Sequence, residues 1–172
     1  MKDKYTGDWI AISDADARAV IQHAAPKWEL PIKILYWYGL RASEVVGLTP
    51  QNLDGETLVV QRLKRGRLTR QALHPEIKQQ LLALARTKLP TAKLFPYSRK
   101  SFWDAIQCAG FRAGVDRKFL HPHAFRHRVG RRGAENGRTP HELMAFMGHR
   151  SIAVSLMYTS LDCNPELSKK FF

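Results

Sequence analysis

The chain has 172 residues, 44% hydrophobic and 25% charged, the size and mix of one soluble domain with enough apolar side chains for a core, which excludes disorder as its main state. Lys and Arg number 28 against 15 Asp and Glu, a net +13 that is unevenly placed: residues 1–60 hold 6 basic and 8 acidic side chains, whereas 61–172 hold 22 and 7. No run approaches the ~18 apolar residues of a membrane span, and the N-terminus lacks a signal peptide's basic start and apolar stretch. Two cysteines, Cys108 and Cys163, are too few for a disulfide framework, so the expectation is a cytoplasmic protein with no membrane partner.

Ser13 followed by Asp16 forms a capping box, and Ala17, Val20, Ile21 and Ala24 recur at helical spacing, predicting a helix over 13–25 that Pro26 stops. Pro31 and Gly39 bracket PIKILYWYG, an apolar core helix, and Ala42 to Leu48 follows as a short one. TLVVQRL and LTRQAL flank Lys64-Arg65-Gly66-Arg67, a β-hairpin with a strongly basic tip and the one expected sheet. Residues 76–87 and about 98–113 repeat apolar side chains at helical intervals, with a loop over 90–96 between them. Pro122 starts a helix to about Asn136, capped by Gly137. Thr139-Pro140-His141-Glu142 is a helix start with a capping box, Ser151 opens IAVSLMY, and Asn164-Pro165 opens a short last helix. The fold class is therefore mainly α with a small antiparallel β-sheet, in one domain.

Six residues have the side-chain types that phosphoryl transfer needs: Arg41, Lys64, His123, Arg126, His149 and Tyr158. Taken singly each is bland, since an arginine is ordinarily solvated and a tyrosine ordinarily packs. Their order and spacing are not. GLRASEVVGL at 39–48, QRLKRG at 61–66, HPHAFRH at 121–127 and MGHRSIAVSLMY at 147–158 resemble the catalytic domain of tyrosine recombinases, the family of phage integrases, chromosome-dimer resolvases and fimbrial inversion recombinases. The resemblance runs from about residue 13 to 165 and the layout is similar to the fimbrial type.

The resemblance implies the tyrosine recombinase catalytic-domain fold over 1–172, with residues 1–12 as a lead-in, no N-terminal core-binding domain, and a tail over 159–172 that docks either on its own domain or on a neighbouring protomer. It implies a site-specific recombinase that cleaves and rejoins DNA through a 3′-phosphotyrosine intermediate, with no cofactor, metal or ATP. Arg41 and Arg126 would grip the scissile phosphate, for which a permanently charged planar guanidinium is well suited. His149 would donate to the same phosphate. Tyr158 would be the nucleophile, His123 would accept its proton, and Lys64 would protonate the departing 5′ oxygen. Glu44 would orient the arginine cluster. The partners implied are double-stranded DNA, a homotetramer on paired sites formed from free monomers, and an accessory DNA-binding protein.

Outside the six, Arg62, Arg65, Arg67, Arg70, Arg128, Arg131, Arg132 and Arg150 are expected on DNA phosphates, because so concentrated a positive charge repels itself without a polyanion. His123 and His127 stand one helical turn apart but lack the glutamate of a zinc-protease motif, and Arg126 and Arg128 would repel a cation, so zinc is disfavoured. His121 and His127 are then structural or DNA-facing. Tyr36, Trp37 and Tyr38 read as core, not as a stacking platform. Two rival readings share the fold: a DNA-binding architectural protein without catalysis, and a type IB topoisomerase-like relaxing activity.

Overall fold

The structure, a computed structural model, describes residues 10–63 and 66–159. Helix α1 (Asp14–Gln22) starts where Ser13 Oγ accepts the Asp16 N–H, as the capping box requires. Helix α2 (Pro26–Tyr38) begins five residues earlier than its sequence bracket suggested, with Pro31 inside it. Pro26 thus opens α2 instead of closing α1: at the first helical position its missing N–H has no intrahelical partner to lose. Gly39 ends α2 in the left-handed region, φ 57°. The short α3 (Ala42–Val45) follows, then a single 3₁₀ turn at Pro50–Asn52.

The basic hairpin is present as β2 (Thr57–Gln61) and β3 (Leu68–Ala72), and a two-residue strand, β1 (Leu53–Asp54), joins it. The order is β1-β2-β3, all antiparallel, with Val59 opposite Arg70 and Leu53 opposite Leu58. Two residues are too short a run for alternation to reveal, which is why β1 is invisible in the sequence. Helices α4 (Pro75–Arg86), α5 (Arg99–Arg112), α6 (Pro122–Glu135), α7 (Pro140–Met147) and α8 (Ile152–Thr159) complete the chain, with a 3₁₀ turn at Arg117–Phe119 before α6.

The main core gathers α1, α4, α5 and α6 around α2, with Ile32, Leu35, Leu58, Ile77, Phe102 and Phe125 buried together. A second, smaller cluster joins Leu143 and Met147 of α7 to Tyr158 of α8. Both pack on α6, which carries glycines where its neighbours come closest. A Cβ on Gly130 would lie 2.6 Å from the Tyr158 ring, and one on Gly133 would lie 2.4 Å from the Leu143 side chain. No helix of the described residues is long and apolar enough to cross a membrane. The expected helix at Asn164, the tail, Lys64, Arg65 and Cys163 lie outside the described residues.

Candidate active site

Helices α2 and α7 each end on a left-handed glycine, Gly39 (φ 57°) and Gly148 (φ 63°), and a key side chain follows closely: Arg41 two residues after the first, His149 one after the second. A helix C-terminus leaves carbonyls without intrahelical partners and carries partial negative charge. Arg126, buried on α6, supplies donors to both ends. Its Nη1 donates to the Gly39 carbonyl at 2.5 Å and its Nη2 to the Met147 carbonyl at 2.9 Å. One guanidinium therefore fixes the two turns that bear Arg41 and His149. Burial lowers the Arg126 pKa to about 10, helped by the charges of Arg62 and Arg41, so it remains cationic at neutral pH.

Arg41 is the N-cap residue of α3 and is held by Glu44. Its backbone N–H donates to Glu44 Oε2 at 2.8 Å and its Nη1 to Oε1 at 2.8 Å, while Nη1 also reaches the Leu63 carbonyl at 3.1 Å. Nε and Nη2 have no hydrogen-bond partner among the described residues, and the side chain is 23% exposed. Glu44 also accepts from the Leu63 N–H at 2.9 Å and Arg62 Nη1 at 3.1 Å. Burial opposes its charge, but the Arg41 N–H, the Arg62 charge and the Leu63 N–H hold its carboxyl below the usual range. Glu44 thus holds the Arg41 and Arg62 guanidiniums and the Leu63 N–H at once.

Tyr158 lies between two histidines. Its ring sits 18° from parallel to His149 with centroids 6.2 Å apart, and 6.0 Å from that of His127. It is 3% exposed. The hydroxyl pairs with His127 Nδ1 at 2.9 Å. Burial raises the tyrosine pKa, partly offset by the Arg126 charge, and lowers His127 to about 3, so the phenol donates and the imidazole accepts. His149 Nδ1 meets the Ser155 hydroxyl at 2.8 Å. Burial, then the charges of Arg126 and Arg41, lower its pKa to about 4, so the ring is neutral near pH 7, and the tautomer in which Nδ1 accepts from Ser155 carries its proton on Nε2.

His123 is exposed and lines a cavity of about 910 Å³ with Arg41, Ser43, Lys100 and Trp103. It is not the residue on the Tyr158 hydroxyl. One helical turn along α6, His127 faces α8 while His123 faces the groove, because residues four apart on this helix meet different neighbours at its N-terminal end. Spacing to Tyr158 carries no trace of this; the contact depends on how α8 packs over Gly130. Ser155 was also missed, and only its place three residues before Tyr158 marks it. Among the described residues no group of three or more His, Cys, Asp or Glu side chains gathers in a way that could hold a metal ion.

Three of the arginines assigned to DNA are instead structural. Arg62 has a fully buried side chain: Nε donates to Thr69 Oγ1, Nη1 to Glu44 and Nη2 to the Phe146 carbonyl. It ties the hairpin to α3 and α7, and Gly148 is shaped around it, since a Cβ there would lie 2.3 Å from the Arg62 side chain. Arg128 is bound to Asp14 and Glu135, each at 2.7 Å. Arg132 donates to the Tyr36 carbonyl and lies 4.7 and 4.8 Å over the Tyr36 and Trp37 rings. Sequence counts all three as surface charge because each has a partner far off along the chain: Glu44 for Arg62, Asp14 for Arg128 and the Tyr36 carbonyl for Arg132. Arg67 and Arg150 are exposed, Arg131 is half-buried, and Arg70 makes an exposed 3.0 Å pair with Asp54.

Residues 11–164 match the model of the phage integrase family. The chain belongs to that family. It is 30% identical over 154 residues to the type 1 fimbriae regulatory protein FimB of Escherichia coli K12, covering 80% of this chain and 74% of that one. It is also 30% identical to the tyrosine recombinase XerD of Mycobacterium tuberculosis (strain CDC 1551 / Oshkosh), over 74% of this chain and 46% of XerD, so the chain spans about half of that relative. In fold it is similar to the catalytic domain of bacteriophage HP1 integrase, with a TM-score of 0.73, 20% identity and 95% of each chain covered. It is similar likewise to the XerA recombinase, with a TM-score of 0.76 and 19% identity, covering 98% of this chain and 64% of that one. The mainly helical domain with its small sheet is a tyrosine recombinase catalytic domain.

Proposed function

We propose that this chain is a site-specific DNA recombinase in which Tyr158 attacks a scissile phosphodiester, forming a 3′-phosphotyrosine bond and releasing a 5′-hydroxyl. The observation that carries this reading is the double capping by Arg126, which brings the Arg41 turn and the His149 turn to one guanidinium beside the tyrosine. Arg41 offers Nε and Nη2, which have no partner among the described residues, to a non-bridging oxygen, and His149 offers Nε2–H. Negative charge building on the phosphate in the transition state meets donors already fixed in place, the arrangement in which such donors act most strongly. Lys64 is the proposed general acid on the 5′ oxygen.

The buried hydroxyl of Tyr158 is in a resting position. Attack requires the ring to leave the Gly130 slot and reach the groove where His123 and Arg41 stand, trading His127 for His123 as its hydrogen-bond partner. The proton then passes to His123 in the cleaving state, and His127 serves the resting one. Double-stranded DNA is the proposed partner, bound by protomers that assemble as a tetramer on two sites, in the cytoplasm. FimB is by name a fimbriae regulatory protein, and XerD is by name a tyrosine recombinase.

Nicked suicide duplexes built from inverted repeats at the encoding locus test this. Wild-type protein is expected to give a denaturant-resistant protein–DNA adduct, and Tyr158→Phe none. Tight binding of those duplexes by the wild type without an adduct favours the non-catalytic DNA-binding reading, and relaxation of supercoiled plasmid without strand exchange favours the topoisomerase one.

A further inference from the structure

Beyond the groove that holds Arg41 and His123 lies a separate cavity of about 390 Å³, lined by Trp103, Asp104, Gln107, Arg117, Lys118 and His121. It shares Trp103 and Asp104 with the groove, so the two run on from each other across α5. Arg117 makes no ion pair among the described residues, and Lys118 has an exposed 3.4 Å pair with Asp116, of a kind that exchanges readily, and lies 4.9 Å over the Phe119 ring. The one carboxylate of the cavity, Asp104, is paired with Lys100 at 2.8 Å. Trp103 is 42% exposed, its ring 13° from parallel to that of His121.

His121 gives an independent sign of an anion. Its Nδ1 accepts the Ala124 N–H at the start of α6, so the neutral ring carries its proton on Nε2, on the edge away from α6. That Nε2 is buried with no hydrogen-bond partner. The Lys118 carbonyl lies near the ring and raises its pKa against the burial that lowers it, without meeting Nε2 at hydrogen-bond geometry. An unmatched buried donor is costly and calls for an acceptor. Two exposed cations, an exposed aromatic face and a spare N–H donor, continuous with a groove for a scissile phosphate, fit the sugar-phosphate backbone.

Resting on the reading of this chain as a DNA recombinase, we propose that this cavity is a second phosphate subsite, where Arg117 and Lys118 grip the duplex backbone a short distance from the cleavage point and Trp103 packs against the intervening sugar. His121 Nε2–H completes the site when Trp103 shifts onto the DNA. The subsite fixes the register of the duplex over Arg41 and carries no base information of its own.

Equilibrium binding of a random-sequence 30-base-pair duplex by the Tyr158→Phe protein, measured across a sodium chloride series, tests this. Each lost phosphate contact flattens the plot of log K against log salt by about one. Arg117→Ala/Lys118→Ala is expected to flatten the slope by about two, with the melting temperature unchanged because both side chains are exposed. Trp103→Ala is expected to weaken binding several-fold with the slope retained. The control pair Lys78→Ala/Lys88→Ala, outside both cavities, is expected to leave the slope as it is. An unchanged slope in the Arg117/Lys118 variant overturns the subsite while the recombinase reading stands. So does an equal flattening in the control pair. A parent protein that binds no duplex overturns both.

Discussion

Arg126 meets two demands with one group: it satisfies the terminal carbonyls of two helices and presents positive charge beside a tyrosine. Arg126→Lys keeps the charge but cannot span both carbonyls with a planar fork. Adduct formation is expected to fall by about two to three orders of magnitude, because the turns that position the Arg41 and His149 donors lose their shared anchor, while duplex binding changes little. Arg62 makes the contrasting case. Read from sequence it belongs on DNA; in the fold it neutralises Glu44 with no exposed surface. Arg62→Met is expected to cost about 3–5 kcal/mol in urea denaturation, the usual result of removing one partner from a buried pair. Loss of salt-dependent DNA affinity with no loss of stability would restore it to the interface. The types and order of Arg41, Glu44, Arg126, His149 and Tyr158 were legible in the sequence because their motifs lie in short, ordered segments. The fates of Arg62, Arg128 and Arg132 were not, since their partners lie between 7 and 114 residues away along the chain.

At the level of elements, α6 is the framework. It carries Arg126 and His127 on the side facing α2 and α8, and its Gly130 admits the Tyr158 ring where any Cβ would collide. Glycine inside a helix costs about 1 kcal/mol against alanine, so its presence needs a packing reason, and that clue stood in the sequence unused. Gly130→Ala tests the slot by a difference in sign. Helix propensity alone predicts a gain of about 1 kcal/mol, whereas overpacking against the ring predicts a loss of about 1–3 kcal/mol; a loss is expected. Most helix starts were readable from caps and prolines, because a cap is a local hydrogen bond. The start of α2 was misplaced because Pro26 and Pro31 both satisfy first-turn rules.

For the whole molecule, the excess positive charge is partly internal, and buried neutral histidines make its stability depend on pH. His127 and His149 titrate near 3 and 4 when folded because burial disfavours their charged forms, against about 6.5 when unfolded. Between those values the unfolded chain binds more protons, so stability rises with pH there. It is fully present above about 6.5 and is lost as pH falls toward 4. Melting temperature is expected to drop steadily from pH 7 to pH 4, and less steeply in His149→Gln; a flat profile would show the two rings to be protonated or solvated in the fold. The same burial seats the Tyr158 ring against Gly130, so the proposed attack requires that packing to open.

The tryptic peptide Ser151–Lys169 offers the most direct test. Mass spectrometry of adduct trapped on a nicked suicide duplex is expected to find the DNA's 3′ phosphate on the Tyr158 oxygen. A phosphate on any other residue, or a 5′ linkage, would contradict the assignment of Tyr158 as the nucleophile and the phosphodiester chemistry built around it.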